Sequence, residues 1–129
     1  MAAFDRLLDP DRTSWKLDLS RIRALVAALD HPERACPTVL IAGTNGKGSI
    51  SALLAAMLRA EGRRVGLYTS PHLVSFRERI RVDGEAIGED AVVDGVEALG
   101  TLIARVDATV FEATTALALD HFAHQVWTP

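Results

Sequence analysis

The stretch Val39 to Ile50, VLIAGTNGKGSI, limits the architecture more than any other part of the chain. Four residues of buried-strand character, Val39, Leu40, Ile41 and Ala42, run into Gly43-Thr44-Asn45-Gly46-Lys47-Gly48-Ser49, and a run with helical apolar spacing follows. Glycines let backbone N–H groups turn toward an anion, and the first turn of the following helix adds unpaired donors and a positive dipole end. In that setting Lys47 is a candidate charge for the outer phosphates of a nucleotide, and Ser49 a candidate hydroxyl ligand for Mg²⁺. The stretch departs from the strict pattern G-x-x-x-x-G-K-[ST] at two places, with Ile41 at the first glycine and Gly48 at the Ser/Thr. A strand-to-helix turn that binds nothing requires neither three glycines within six residues nor a lysine beside them. Phosphate binding is therefore the favoured reading.

The form GTNGKGS resembles the ATP loop of the Mur ligase superfamily, and Gly48 after the lysine resembles its folylpolyglutamate synthase and dihydrofolate synthase branch. Two further stretches are similar to that branch, Thr69-Ser70-Pro71-His72-Leu73 and Phe76-Arg77-Glu78-Arg79-Ile80-Arg81-Val82-Asp83-Gly84. A fourth, Thr109-Val110-Phe111-Glu112, matches its T-x-F-E followed by an Ala- and Thr-rich helix. The likeness runs from about Trp15 to Trp127. It implies ATP and Mg²⁺, with Gly43, Thr44, Asn45, Gly46, Lys47, Gly48 and Ser49 at the nucleotide and Ser49 and Ser70 at the metal. It also implies Pro71, His72, Leu73, Thr109 and Phe111 around a folate or pterin substrate, and L-glutamate as the amino acid joined through an acyl phosphate. Members of the family are several times longer, so residues 1–129 are expected to be the N-terminal portion of the ATP-binding domain, without the C-terminal glutamate ligase domain. Another Mur-type amide ligase, or an inactive nucleotide-binding fragment, stays open as an alternative.

Net charge of −3 and a pI near 5.7 give no sign of a nucleic-acid or anionic-membrane surface. No apolar run approaches the length of a membrane span, and the early acids of MAAFDRLLDPDR do not make a signal core, so a cytoplasmic location is the expectation. Cys36 stands alone beside Pro37 with nothing near it in sequence to lower its pKa, and reads as a small apolar filler.

Along the chain, Ser20 is the expected cap of a helix whose face carries Ile22, Leu25, Val26 and Leu29, with His31 a polar residue near its end. After the glycine loop, Ile50, Leu53, Leu54, Met57 and Leu58 mark the expected buried side of a helix stopped by Gly62. Val65-Gly66-Leu67-Tyr68 reads as a second strand. Strand, helix and strand make a βαβ unit, and hence a P-loop-type parallel β-sheet flanked by helices, with a β-hairpin insertion turning at Asp83-Gly84. Ligands of such sheets sit outside the C-terminal strand ends, where Ser70 would also lie.

In the hairpin, Arg79 reads as structural and Arg81 as part of a solvated face. A helix follows from Glu89 to about Arg105, weakened by Gly95 and Gly100. Thr109 and Glu112 stand in capping-box register at the start of the last helix, which explains Glu112 structurally. His121 and His124 share a helical face without a carboxylate or cysteine partner in sequence and read as surface polar residues.

Overall fold

The structure, a computed structural model, describes residues 18–70 and 74–126. Pro71, His72 and Leu73 therefore lie outside the described residues, as do Trp15 and Trp127.

Helix α1 spans Ser20–Ala28 and buries Leu25 and Val26. Its cap is not Ser20. The Asp18 carboxylate accepts from the Ser20 backbone N–H at 2.9 Å and from the Ser20 hydroxyl at 2.6 Å, so an acid two residues earlier supplies the acceptor and Ser20 becomes the first helical residue. At the other end Asp30 and His31 both take positive φ, and the His31 N–H donates to the Val26 carbonyl at 2.8 Å before a short 3₁₀ turn over Pro32–Arg34. The His31 imidazole meets Glu33 at 2.9 Å, a local polar contact as expected.

Helix α2 spans Lys47–Ala60. It is followed by strand β1 (Gly66–Tyr68), a 3₁₀ turn (Phe76–Arg79), β2 (Ile80–Val82), β3 (Glu85–Ala86), α3 (Glu89–Val106) and α4 (Val110–Gln125). The strands form a three-stranded sheet in the order β1-β2-β3, antiparallel at both junctions, with Leu67 opposite Arg81 and Val82 opposite Glu85. The Asp83-Gly84 hairpin is as expected. Both turn residues have positive φ, 51° and 84°, the geometry in which a two-residue loop follows the twist of its strands. Asp83 is doubly tied to the entrance of β1, its N–H donating to the Val65 carbonyl and its carboxylate accepting from the Val65 N–H, each at 2.9 Å.

Two expectations are corrected here, and the parallel sheet is not found among the ladders of the described residues. The expected parallel pairing of Val39–Ala42 with the Gly66–Tyr68 strand is not among the ladders of the described residues; residues 39–42 carry no strand, and β1 takes an antiparallel neighbour instead. The residues Phe76–Arg79, expected as strand, form a 3₁₀ turn because Ser75 and Glu78 make a capping box, with Glu78 accepting the Val74 and Ser75 N–H groups at 3.2 and 3.1 Å. Arg81 is not a free solvated side chain: it donates to the Glu78 carbonyl and to the Gly84 carbonyl, both at 3.2 Å, and clamps the hairpin.

The core lies between α1, α3, α4 and the hairpin, built from Leu25, Phe76, Ile80, Ile87, Val92, Val96, Leu99, Ile103 and Leu117 with the small residues Ala108, Ala113, Ala116 and Ala118. Small side chains on α4 let neighbours approach closely. A Cβ at Gly95 of α3 would collide with the Leu117 side chain of α4, so this glycine marks the helix crossing. One at Gly66 would sit 2.6 Å from the Phe122 ring, so β1 also lies hard against α4. Helix α2 takes no part in this core: none of its residues is buried, and Ile50, Leu53 and Met57, expected inside, are more than half exposed. Periodicity had identified its apolar face, but among the described residues that face is only partly covered, with Leu54 and Leu58 half-buried where α2 packs against β1.

Candidate functional site at the glycine loop and the start of α4

The glycine loop leads into α2 through Gly46, whose φ of 77° is the left-handed turn that glycine adopts without strain. No side chain caps this end. The first bond into the helix is from the Ile50 N–H to the Gly46 carbonyl at 3.0 Å, so the N–H groups of Lys47, Gly48 and Ser49 precede it. Every residue from Ala42 to Ile50 is exposed, Lys47 included. An uncapped, open helix start with an ammonium on it offers unpaired donors and positive charge to an anion.

The other end of α2 lies by the hairpin turn, where the Arg59 guanidinium packs against Gly84, next to the Gly66 end of β1. Because α2 packs along β1 and returns to it through residues 61–65, helix and strand run in opposite directions. The Lys47 end of α2 therefore lies toward the end of β1 from which Thr69 and Ser70 leave. The Thr69 N–H extends the ladder by donating to the Arg79 carbonyl at 3.0 Å, and Ser70 is exposed just beyond it.

Phe111, in the first turn of α4, reaches the same end. Its ring stacks on that of Tyr68, the last residue of β1, with centroids 6.4 Å apart and planes inclined by 27°, yet Phe111 is 62 % exposed. A large aromatic held on one face and open on the other can receive a planar ligand. The Tyr68 hydroxyl lies 3.1 Å from that of Thr115, and burial pushes its pKa up, so it stays protonated. Tyr68 was not singled out from sequence; its position immediately before Thr69-Ser70 was the available signal.

Thr109 is nearly buried and makes the expected capping box: its hydroxyl accepts from the Glu112 N–H at 3.1 Å, and the Glu112 carboxylate accepts from the Thr109 N–H at 3.0 Å. Glu112 has a second partner that sequence spacing did not suggest. The Arg21 Nε, from α1, lies 3.0 and 3.1 Å from its two oxygens. Burial pushes the Glu112 carboxyl up, but the Thr109 N–H and hydroxyl and the Arg21 guanidinium outweigh it and hold the pKa below the ordinary range.

Arg79 lies over the Phe76 ring at 5.7 Å, and Arg77 donates to the Ile87 carbonyl at 3.4 Å; both contacts are within the hairpin region. His124 is exposed and bonded to the Asp120 carbonyl at 2.8 Å, as a surface residue. Among the described residues, no group of three or more His, Cys, Asp or Glu side chains could hold a metal ion. No helix among them is long and apolar enough to cross a membrane.

The chain is 43 % identical over 125 residues to a probable bifunctional folylpolyglutamate synthase/dihydropteroate synthase of Haloferax volcanii, covering 93 % of this chain and 15 % of that protein. It is 38 % identical over 114 residues to the dihydrofolate synthase/folylpolyglutamate synthase of Bacillus subtilis, covering 84 % of this chain and 26 % of the relative. A folylpolyglutamate synthase solved with AMPPCP and folate superposes with a TM-score of 0.84 at 36 % identity, over 95 % of this chain and 32 % of that one. The chain belongs to the folylpolyglutamate/dihydrofolate synthase family. It spans about a third or less of the length of these synthases. No protein-family model matches it. The synthase fold of the superposed structures agrees with the mixed helix and sheet content found here.

Proposed function

We propose that this chain supplies the nucleotide loop and part of the folate pocket of an ATP-dependent ligase that joins L-glutamate to folate, to dihydropteroate, or to both. The observation that carries the reading is the open, uncapped start of α2, with Lys47 on it, at the same end of β1 as the exposed Phe111 ring. The synthase solved with both AMPPCP and folate supports it, since that relative holds a nucleotide and a folate together.

In this reading residues 1–129 are the N-terminal portion of the ATP-binding domain, with the glutamate ligase domain outside it. Residues 39–42 are then the strand of a parallel sheet, joined by partners from beyond the chain's own ladders. The N–H groups of Gly43 to Ser49 and the Lys47 ammonium hold the phosphates of ATP and offset the charge that develops when one is transferred to the substrate carboxylate. The resulting acyl phosphate is the species that the glutamate amine attacks. Thr109, Phe111 and the segment Pro71, His72 and Leu73 bound the pterin.

Mg²⁺ fits the donors present. Ser49 and Ser70 offer neutral hydroxyls at one end of β1, and Mg²⁺ takes such ligands alongside phosphate oxygens and water without needing a cage of carboxylates. Bound there, it would neutralise phosphate charge; the serines' task is to fix its place.

Lys47→Ala in a full-length ligase carrying this segment tests the assignment. Ligation followed by ADP release should fall by about 10³-fold or more with the thermal midpoint unchanged, because Lys47 is exposed and its ammonium serves the phosphates and the charge developing on them rather than the packing. Retained turnover would refute the role. A parent stimulated by a UDP-linked muramoyl peptide and not by folates would point to another Mur-type ligase.

A further inference from the structure

Arg21 lies on α1, outside every motif that carries the family likeness, yet its side chain is only 14 % exposed and meets a Glu112 side chain that is 12 % exposed. Its Nε reaches both Glu112 oxygens, while its terminal nitrogens reach the Asp18 carbonyl at 3.3 Å and the Asp18 carboxylate at 3.9 Å. Asp18 in turn caps α1. One guanidinium thus ties the start of α1 to the start of α4.

The consequence falls on Thr109. Glu112 Oε1 accepts from the Thr109 hydroxyl at 2.9 Å, and the same hydroxyl accepts from the Glu112 N–H at 3.1 Å. A hydroxyl has one proton and two lone pairs. Its proton is given to Glu112 and one lone pair to the helix, so one lone pair is left. Thr109 can therefore meet a ligand only as an acceptor, toward a ring N–H or amino group. The arrangement holds while Glu112 stays ionised and in place, and Arg21 keeps it so.

We propose that Arg21 is a positioning residue for the pterin pocket, acting through Glu112 to fix the Thr109 hydroxyl as a hydrogen-bond acceptor. The proposal rests on the folate reading above.

The test measures KM for the pterin substrate and for ATP in a full-length ligase carrying this segment, with the wild type, Arg21→Ala, Arg21→Lys, Thr109→Val and the double variant Arg21→Ala/Thr109→Val. Arg21→Ala should raise the pterin KM by about tenfold, the scale of losing a charged hydrogen-bond partner, and leave the ATP KM within about twofold. Arg21→Lys, which keeps the charge but not the Nε geometry, should fall between. The double variant should be no worse than Thr109→Val, since residues acting through one another are not additive. Equal rises in both KM values, or additive effects in the double variant, would overturn the proposal. If Arg21→Ala does not fold, an unchanged pterin KM in Arg21→Lys overturns it alone. A wild type inert toward every folate refutes the parent reading, whereas an active wild type with indifferent Arg21 variants refutes this one only.

Discussion

Glu112 does structural and electrostatic work at once, and its pH dependence follows from that. Its carboxyl titrates below the ordinary glutamate value of 4.5 in the folded chain. The stabilisation is thus complete above 4.5 and is lost as the pH falls through the lowered folded value, because the unfolded chain takes up its proton first. Glu112→Gln removes this contribution. Urea unfolding from about pH 6 down to about pH 3 should show a shallower acid decline for the variant than for the wild type; parallel declines would mean that other carboxylates account for the acid loss. The capping box itself was legible, since Thr and Glu three apart before an apolar run state both halves of the reciprocal bond. The same spacing at Ser75 and Glu78 went unread, because alternating arginines and apolar residues also spell a strand and the tighter local bonds prevailed. Arg21 was not legible at all. Its partner lies far along the chain, and no periodicity relates residues on different helices.

Among the elements, α3 and α4 offer a case in which two effects compete with opposite signs. Replacing glycine by alanine inside an exposed helix normally stabilises it by about 1 kcal/mol. At Gly95 the added Cβ runs into the Cδ1 end of Leu117, a side chain 3 % exposed that must shift within the packed core. Overpacking of this kind costs about 1–3 kcal/mol, so Gly95→Ala should lower the thermal midpoint by several degrees, and a rise would show that the crossing can relax. Gly100, where nothing lies within 4 Å of an added Cβ, lacks this constraint. From sequence both glycines were equal weaknesses of the helix; only the approach of a second helix separates them. The hairpin was legible for the opposite reason, since its signal lies in two adjacent residues, Asp83 and Gly84, whose φ values need no distant partner.

At the scale of the whole molecule, the order of helices and the family were readable, whereas the sheet that the glycine loop announces was not found among the described residues. Leu40, 89 % exposed, and the half-open face of α2 show what apolar patterning alone leaves undecided: it names the side that wants covering and is silent on what covers it. A chain that spans about a third or less of its relatives can keep such a side open while its other helices close a core. Hydrogen exchange should report the difference directly. With no buried residue of its own, α2 can open without disturbing Leu25, Val92 or Leu117, so its amides should take up deuterium at a small fraction of the global unfolding free energy, while those of α3 and α4 exchange only near it. Uniform protection across all of them would mean that α2 unfolds only with the rest. If α2 exchanges first, the glycine loop is carried by the part of the described chain that breathes most readily, and a ligand bound at its start would slow that breathing before it raised the melting temperature.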